Sequence, residues 1–386
     1  MRKWIEMAGA SFIAAACCLP SIAFAQDNSM TGDKTFSVDT ENAVINDQAT
    51  EKIVKAGITR ENGWYPKLRI GGSASVNYNK DVDGVNDGTA FTFGVYLKGA
   101  LDAVYKNFEW QSKLEIEHQQ TKIPTIDDFI KSADKLDFNT LVLFRIPDAE
   151  WVGPFARFRL QTSLFPGRYI SDKDVTVRYY KSGMDKGDKL SVSALDPDVN
   201  RVIDAEKEKG YYAKDPQKLD AQKSAKMSNA FEPLLLSEAV GVFMAPFEHE
   251  LLNVNVKVGI AGQHLFADGG YVSFDTDDDD EFYDVRELVD THSVGIEGEL
   301  ELNGVFVGYV NWSASAGIYY PFAVNDDHNL DDSDMIHADF TAKISVKLST
   351  WGSLDYALIV KRAPFVTTDW QLTNTLLFNV GFDVFK

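Results

Sequence analysis

Cysteine is nearly absent from this 386-residue chain: Cys17 and Cys18 are its two, and both lie within the first 25 residues. Once those residues are removed, disulfides, thiolate zinc sites and cysteine nucleophiles are excluded together. Also missing is any apolar run of the roughly 18 residues that a membrane-spanning helix needs. Basic residues are few: 38 Lys and Arg stand against 58 Asp and Glu, a net charge of −20, which disfavours nucleic acid as a partner. Histidines number six, and no cofactor motif is present.

What the chain does have begins with MRKWIEMAGASFIAAACCLPSIAFA. Arg2 and Lys3 precede an apolar run from Met7, and Ala23-Phe24-Ala25 gives a small-any-small cleavage pattern before Gln26. This predicts a secretory signal peptide over residues 1–25. The alternatives are a retained anchor, which Pro20 interrupts, and a lipoprotein at Cys17, where the usual preceding leucine is missing. Cleavage takes Arg2, Lys3 and Glu6 from the totals, leaving 36 basic and 57 acidic residues and a charge of −21. Residues 26–66 are polar without a period of two and read as a periplasmic tail, with a partial plug or disorder as alternatives.

From Leu68 onward apolar and polar residues alternate. In FTFGVYLKGALDAVY, Phe91, Phe93, Val95, Leu97, Leu101, Ala103 and Tyr105 share one face; in IHADFTAKISVKL, Ile336, Ala338, Phe340, Ala342, Ile344, Val346 and Leu348 do. Ordinary strands run about 5 or 6 residues, whereas these reach 11 to 16, the length a tilted strand needs to cross a bilayer. Sheets in lipid must also close on themselves, because an open edge leaves backbone groups without partners.

Twelve strands are predicted, near 68–79, 90–105, 108–121, 134–146, 155–165, 231–245, 251–264, 291–302, 305–320, 335–348, 353–361 and 370–385. Connections of one parity are short, Lys106-Asn107 and Asn303-Gly304 among them; the opposite parity carries the long ones, residues 166–230 longest. That asymmetry is the mark of an outer-membrane barrel with its turns in the periplasm, so residues 67–386 are read as an all-β, transmembrane, antiparallel up-and-down barrel of 12 to 14 strands. The two counts differ by DVTVRYY and KLSVSAL within 166–230, which are short enough to be an extracellular hairpin instead. Tyr78, Tyr105, Phe108, Trp110, Phe155, Tyr319, Tyr320, Trp351 and Trp370 fall at predicted strand ends as interfacial girdles.

If the apolar set meets lipid, the polar set lines a lumen. The lumen-lining candidates are Arg69, Lys98, Arg145, Arg157, Arg159, Lys343, Lys347, Glu115, Glu117, Glu297 and Glu299, with opposed charges such as Glu115 and Glu117 expected to pair with Lys135 or Arg145. A barrel of about twelve strands is wider than the roughly eight-stranded kind that side chains fill, so a polar pore fits. Asp277 to Asp280 with Glu281, and Asp326, Asp327, Asp331, Asp332 and Asp334, make acidic loops that suit divalent cations bridging to lipopolysaccharide, although no calcium-loop spacing is present and no protein metal site is expected. His337 with Asp339 on one face, which Ser345 shares at a spacing too long for a direct hydrogen bond, and His264 with His292 near a rim, are the sparse grounds for a hydrolase; no catalytic residue is assigned.

WVGPFARFRLQTSLFPG and TTDWQLTNTLLFNVGFDVF resemble stretches of Gram-negative outer-membrane β-barrel proteins, porin-like and similar in style to an uncharacterised barrel family of unknown function. The resemblance implies residence in the cell outer membrane after cleavage at Ala25, with membrane lipid, lipopolysaccharide and the barrel-assembly machinery as partners, and no catalytic residues to carry over. A channel for passive passage of small solutes or ions is the leading expectation. The alternatives are a structural or adhesive surface barrel with a closed lumen and, less favoured, a hydrolase.

Overall fold

A computed structural model describes residues 62–79, 88–180, 212–249, 251–267, 269–273, 282–288, 290–306, 309–325, 336–363 and 367–385. Among these residues there is no helix. The strands are β1 (Gly63–Asn79), β2 (Gly88–Tyr105), β3 (Phe108–Lys122), β4 (Ile130–Phe144), β5 (Val152–Thr162), β6 (Arg168–Ile170), β7 (Val175–Tyr180), β8 (Tyr212–Leu219), β9 (Ser224–Lys226), β10 (Leu234–His249), β11 (Leu252–Phe266), β12 (Tyr271–Ser273), β13 (Phe282–Glu287), β14 (Thr291–Phe306), β15 (Val310–Val324), β16 (His337–Lys347), β17 (Gly352–Ala363) and β18 (Thr367–Phe385).

Twelve of them close into one barrel in the order β1-β18-β17-β16-β15-β14-β11-β10-β5-β4-β3-β2, antiparallel throughout. The seam joins first strand to last, Ala74 opposite Phe378 and Leu68 opposite Phe385. Alternation along each strand sets the outside against the inside. Val95, Val240, Ile260, Ile296, Leu376 and Phe382 are exposed on the outer wall, while Lys98, Glu117, Lys257, Thr341, Ser345 and Asp355 are buried within. At the seam the Tyr96 ring lies inside over Gly71 and Gly381, where a Cβ would fall within the ring, and its hydroxyl donates to the Val380 carbonyl at 3.3 Å.

The hairpin parity holds. Lys106 and Asn107 turn β2 into β3, with Lys106 at φ 54° and its N–H donating to Asn62 Oδ1 at 2.6 Å. Asn303-Gly304 is not the turn expected: both residues continue β14, paired with Ser313 and Trp312, and the chain reverses beyond Phe306. Gly304 is needed there because a side chain would strike the Leu251 carbonyl and the Trp312 ring.

Of the girdle aromatics, Tyr105, Phe108, Trp110, Tyr320, Trp351 and Trp370 are exposed on the outer wall; Tyr78's side chain lies outside the described residues. Phe155 and Tyr319 instead point inward and are buried. Strand parity decides this: Phe155 stands opposite Gly241, in the inward row, and packs with Leu143, Phe243 and Ala239.

The long connections build a second region at the barrel's other end. β12, β13, β7 and β8 form a four-stranded sheet, and β6 pairs with β9. DVTVRYY thus becomes β7, outside the barrel wall, so the count is twelve; KLSVSAL lies outside the described residues. β7 pairs antiparallel with β8 from its own loop and parallel with β13 from the loop after β11. This cap has its own apolar core of Tyr169, Val175, Val177, Tyr179, Leu219, Met227 and Val285. Tyr169 and Tyr283 stack at 3.7 Å, and the buried Arg178 forks onto Asp284, one bond at 2.6 Å, with Phe282 beneath the guanidinium. Burial pushes the Tyr179 hydroxyl up to about 12, and Tyr271 beside it adds to the shift.

Candidate functional site

The inner wall is where the polar residues converge. Strand register alone brings Lys98, Glu115 and Asp137 into one row across β2, β3 and β4. Their side chains extend it into a chain: Lys98 to Glu115 at 3.0 Å, Glu115 to Lys135 at 3.6 Å, Lys135 to Asp137 at 3.2 Å, Asp137 to Arg159 at 2.7 Å. Gln161 donates to the same Asp137 carboxylate at 2.9 Å. Arg69, on β1, falls in the same row opposite Lys98. Glu117 accepts from Gln119 at 2.5 Å, while Lys135 turns to Glu115 and Asp137.

A second lattice lies on the facing strands. Arg157 leaves β5 and binds two carboxylates of β14, Glu297 at 2.5 Å and Glu299 at 2.8 Å, and Lys257 of β11 binds Glu299 at 3.2 Å and Glu301 at 3.1 Å. Two strands, β10 and β11, separate β5 from β14. Arg157 spans them because the intervening inward positions are Ala239, Gly241, Gly259 and Ala261. Any larger side chain there would occupy the guanidinium's path.

These groups divide the lumen. An upper cavity of about 210 Å³, toward the long loops, has Arg157, Arg159, Glu297, Tyr319, His337 and Lys361 among its walls. A lower one of about 100 Å³, toward the short turns, has Glu109, Lys113, Arg145, Phe243, Glu248 and Lys257. Arg157 and Glu299 line both, so their ion pair is the partition. Lys343 adds a charge from farther round: it stands on β16, five strands from Glu115 in the ring of twelve, yet bears on that carboxylate.

Other expectations sort plainly. Arg145 lies just past β4 at the short-turn mouth and pairs with Glu109 at 2.8 Å and Glu248 at 3.3 Å, not with Glu115 or Glu117. Lys347 stands in the inward row of β16, opposite the buried Ser353, and is exposed at the same rim. Ser345 donates to Asp355 at 2.6 Å, which also accepts from Asn379 at 2.5 Å; His337 instead meets Tyr319 edge-on at 5.6 Å, so no Ser345–His337 pair forms. His264 and His292 do meet, Nδ1 to Nδ1 at 3.1 Å. The acidic loops 277–281 and 326–334 lie outside the described residues, and among the described ones no carboxylate and histidine cluster is arranged for a metal. Sequence reasoning missed the inward aromatics and the Ala/Gly strip under Arg157, which inward parity on β10 and β11 could have signalled.

A closed ring of twelve long antiparallel strands, apolar outside and ionic inside, decides the class. The chain is an outer-membrane-type β-barrel. No family model matches it, nor does any curated protein. Among solved structures, the barrel is similar to the translocator domain of the autotransporter NalP from Neisseria meningitidis, at 9% identity over 88% of this chain and 94% of that one, TM-score 0.36. It is also similar to an outer membrane channel from Pseudomonas putida F1, at 8% identity over 84% and 96%, TM-score 0.35, and to the NanC porin, at 8% over 83% and 99%, TM-score 0.32. These likenesses concern general architecture; the lumen's chemistry is argued from this barrel's own residues.

Proposed function

We propose that the barrel is a passive conduit for small hydrophilic solutes or ions across the outer membrane of a Gram-negative cell, reached by way of the signal peptide and the assembly machinery. The carrying observation is the pair of stacked cavities separated only by the Arg157–Glu299 contact and its neighbours. Ion pairs along a wet lumen are a partition that side-chain movement opens, whereas a packed apolar core is not. Balanced charge on the two walls favours weak selectivity between cations and anions.

Conductance of the purified, folded protein in planar bilayers tests this. Discrete steps are expected, with a larger unitary conductance in Arg157→Ala than in the wild type. Absence of steps in both, with folding verified by heat-modifiable gel mobility, overturns the conduit.

A second reading is a surface barrel whose cap does the work. The cap's independent apolar core favours it, since solvated loops need no such core. Adhesion or binding that disappears on removing residues 167–228, while conductance is unchanged, would favour this reading. No reaction is assigned to the barrel.

A further inference from the structure

Two histidines stand directly opposite each other on the outer wall: His264, third from the end of β11, and His292, second in β14. Both face outward, because their neighbours Leu265 and Ser293 are the buried, inward ones. Their Nδ1 atoms lie 3.1 Å apart, with the two rings inclined at 52°. On the far side of His264, Glu238 of β10 meets Nε2 at 2.8 Å. Gly262, directly opposite Glu238, leaves the slot along which that carboxylate leans, since a Cβ there would strike it. His292 is held through its backbone: its N–H donates to Asn325 Oδ1 at 2.7 Å, and its carbonyl accepts from the Asn325 N–H at 2.9 Å. Phe266 packs edge-on against its ring at 5.4 Å.

Hydrogen-bond roles follow from the carboxylate. An ionised Glu238 only accepts, so His264 carries its proton on Nε2 and turns an Nδ1 lone pair toward His292, which supplies the bridging Nδ1 proton. A metal-ligating imidazole is oriented in the same way: one ring nitrogen donates to a carboxylate and the other is left for the ion. The spacing fits as well. At a metal–nitrogen bond of about 2.05 Å, two nitrogens 3.1 Å apart subtend about 98° at the ion, between the square and the tetrahedral angle.

We propose that His264 and His292 are the two protein ligands of a divalent transition-metal ion, with Glu238 as the carboxylate that orients His264. Imidazole pairs favour copper, nickel and zinc over calcium and magnesium, and copper(II) binds most tightly of the three. On entry the ion takes both Nδ1 lone pairs. His292 gives its Nδ1 proton to water and takes one up on Nε2, so the ring stays neutral, and a swing of the two side chains turns the lone pairs from each other onto the ion. Among the described residues no third protein ligand joins them, which leaves the remaining positions to water. His264 is partly exposed at the long-loop rim, so the site is open to ions in solution on that side. A bound ion ties β11 to β14 at the base of the loop that carries β12 and β13. None of this depends on the barrel conducting solutes.

The test is titration of the full-length folded barrel in detergent micelles with copper(II) alone, read by electron paramagnetic resonance and by the metal retained after dialysis. Wild type is expected to hold a copper ion whose spectrum shows two imidazole nitrogens, undisturbed by excess calcium or magnesium. His264→Phe and His292→Phe should each weaken binding at least tenfold and abolish the two-nitrogen spectrum, whereas His118→Phe and His249→Phe should leave both unchanged. Glu238→Gln should keep the stoichiometry and weaken binding roughly tenfold, as loss of an orienting carboxylate does. Absence of a two-nitrogen copper in wild type overturns the site whatever the variants do, so a variant that fails to fold does not shield the proposal. A two-nitrogen spectrum that survives either His264→Phe or His292→Phe overturns it as well.

Discussion

The barrel and its cap solve the same burial problem in opposite ways. The wall turns Val95, Ile260 and Leu376 outward to lipid and collects Lys98, Glu117 and Asp355 inside. The cap turns Val177, Tyr179 and Val285 inward and meets water with the rest. Solvent makes the difference: in lipid the apolar face needs no partner, while above the membrane only a packed core repays the ordering of the chain. The lesson is that one continuous β sequence can invert its inside at the membrane boundary without changing its backbone geometry.

The largest expected effect separates the two regions outright. Val177→Asp puts an unpaired carboxylate in the cap core and should cost more than ~4 kcal/mol there, enough to unfold the cap. Limited proteolysis should then cut within 167–228 while the barrel keeps its heat-modifiable mobility. Loss of both together would mean the two regions are one cooperative unit.

Arg157→Ala attacks the barrel's inside. It strands Glu297 and leaves Glu299 to Lys257 alone, which in a dry interior costs about 3–5 kcal/mol, and lumen water should reduce this to about 2–3. Chemical unfolding of the folded barrel measures it, and Glu297→Gln in the same background should restore part of the loss. Gly304→Ala comes next: a side chain against the Leu251 carbonyl forces the β11–β14 end apart, at about 1–2 kcal/mol.

Of similar size is a pH difference between the regions. Tyr179 holds its proton up to about 12 in the folded cap, whereas an unfolded chain releases it near 10. Cap stability is therefore full below about pH 10, falls as pH rises, and has lost this contribution by about pH 12, at most ~2 kcal/mol. Phenolate absorbance should show late-titrating tyrosines, and one fewer of them in Tyr179→Phe.

Much of the barrel was legible because lipid forces the pattern. A strand with one face in hydrocarbon cannot hide its alternation, so the twelve segments and their long and short connections stood out. Phe155 and Tyr319 were misplaced because an aromatic residue near a strand end looks the same on either face; only the register opposite Gly241 and beside Ser293 assigns them inward. Asn303-Gly304 was read as a turn because the dipeptide fits both a hairpin and a close approach of backbones. The row Lys98, Glu115, Asp137 follows from hairpin register and lay within reach of the sequence. The bridge from Arg157 to Glu297 did not, because it depends on what two intervening strands leave empty.

The pairing of β7 with β13 ties together two loops that are separated in the chain by β10 and β11. Val177 and Val285 therefore meet only after both of those barrel strands, and the segment beyond them, have crossed. A fragment ending before residue 282 lacks Val285 and Tyr283, and with them the β13 edge that covers the core. The cap is thus a check on the length of chain present: it closes only when the polypeptide extends at least as far as β13.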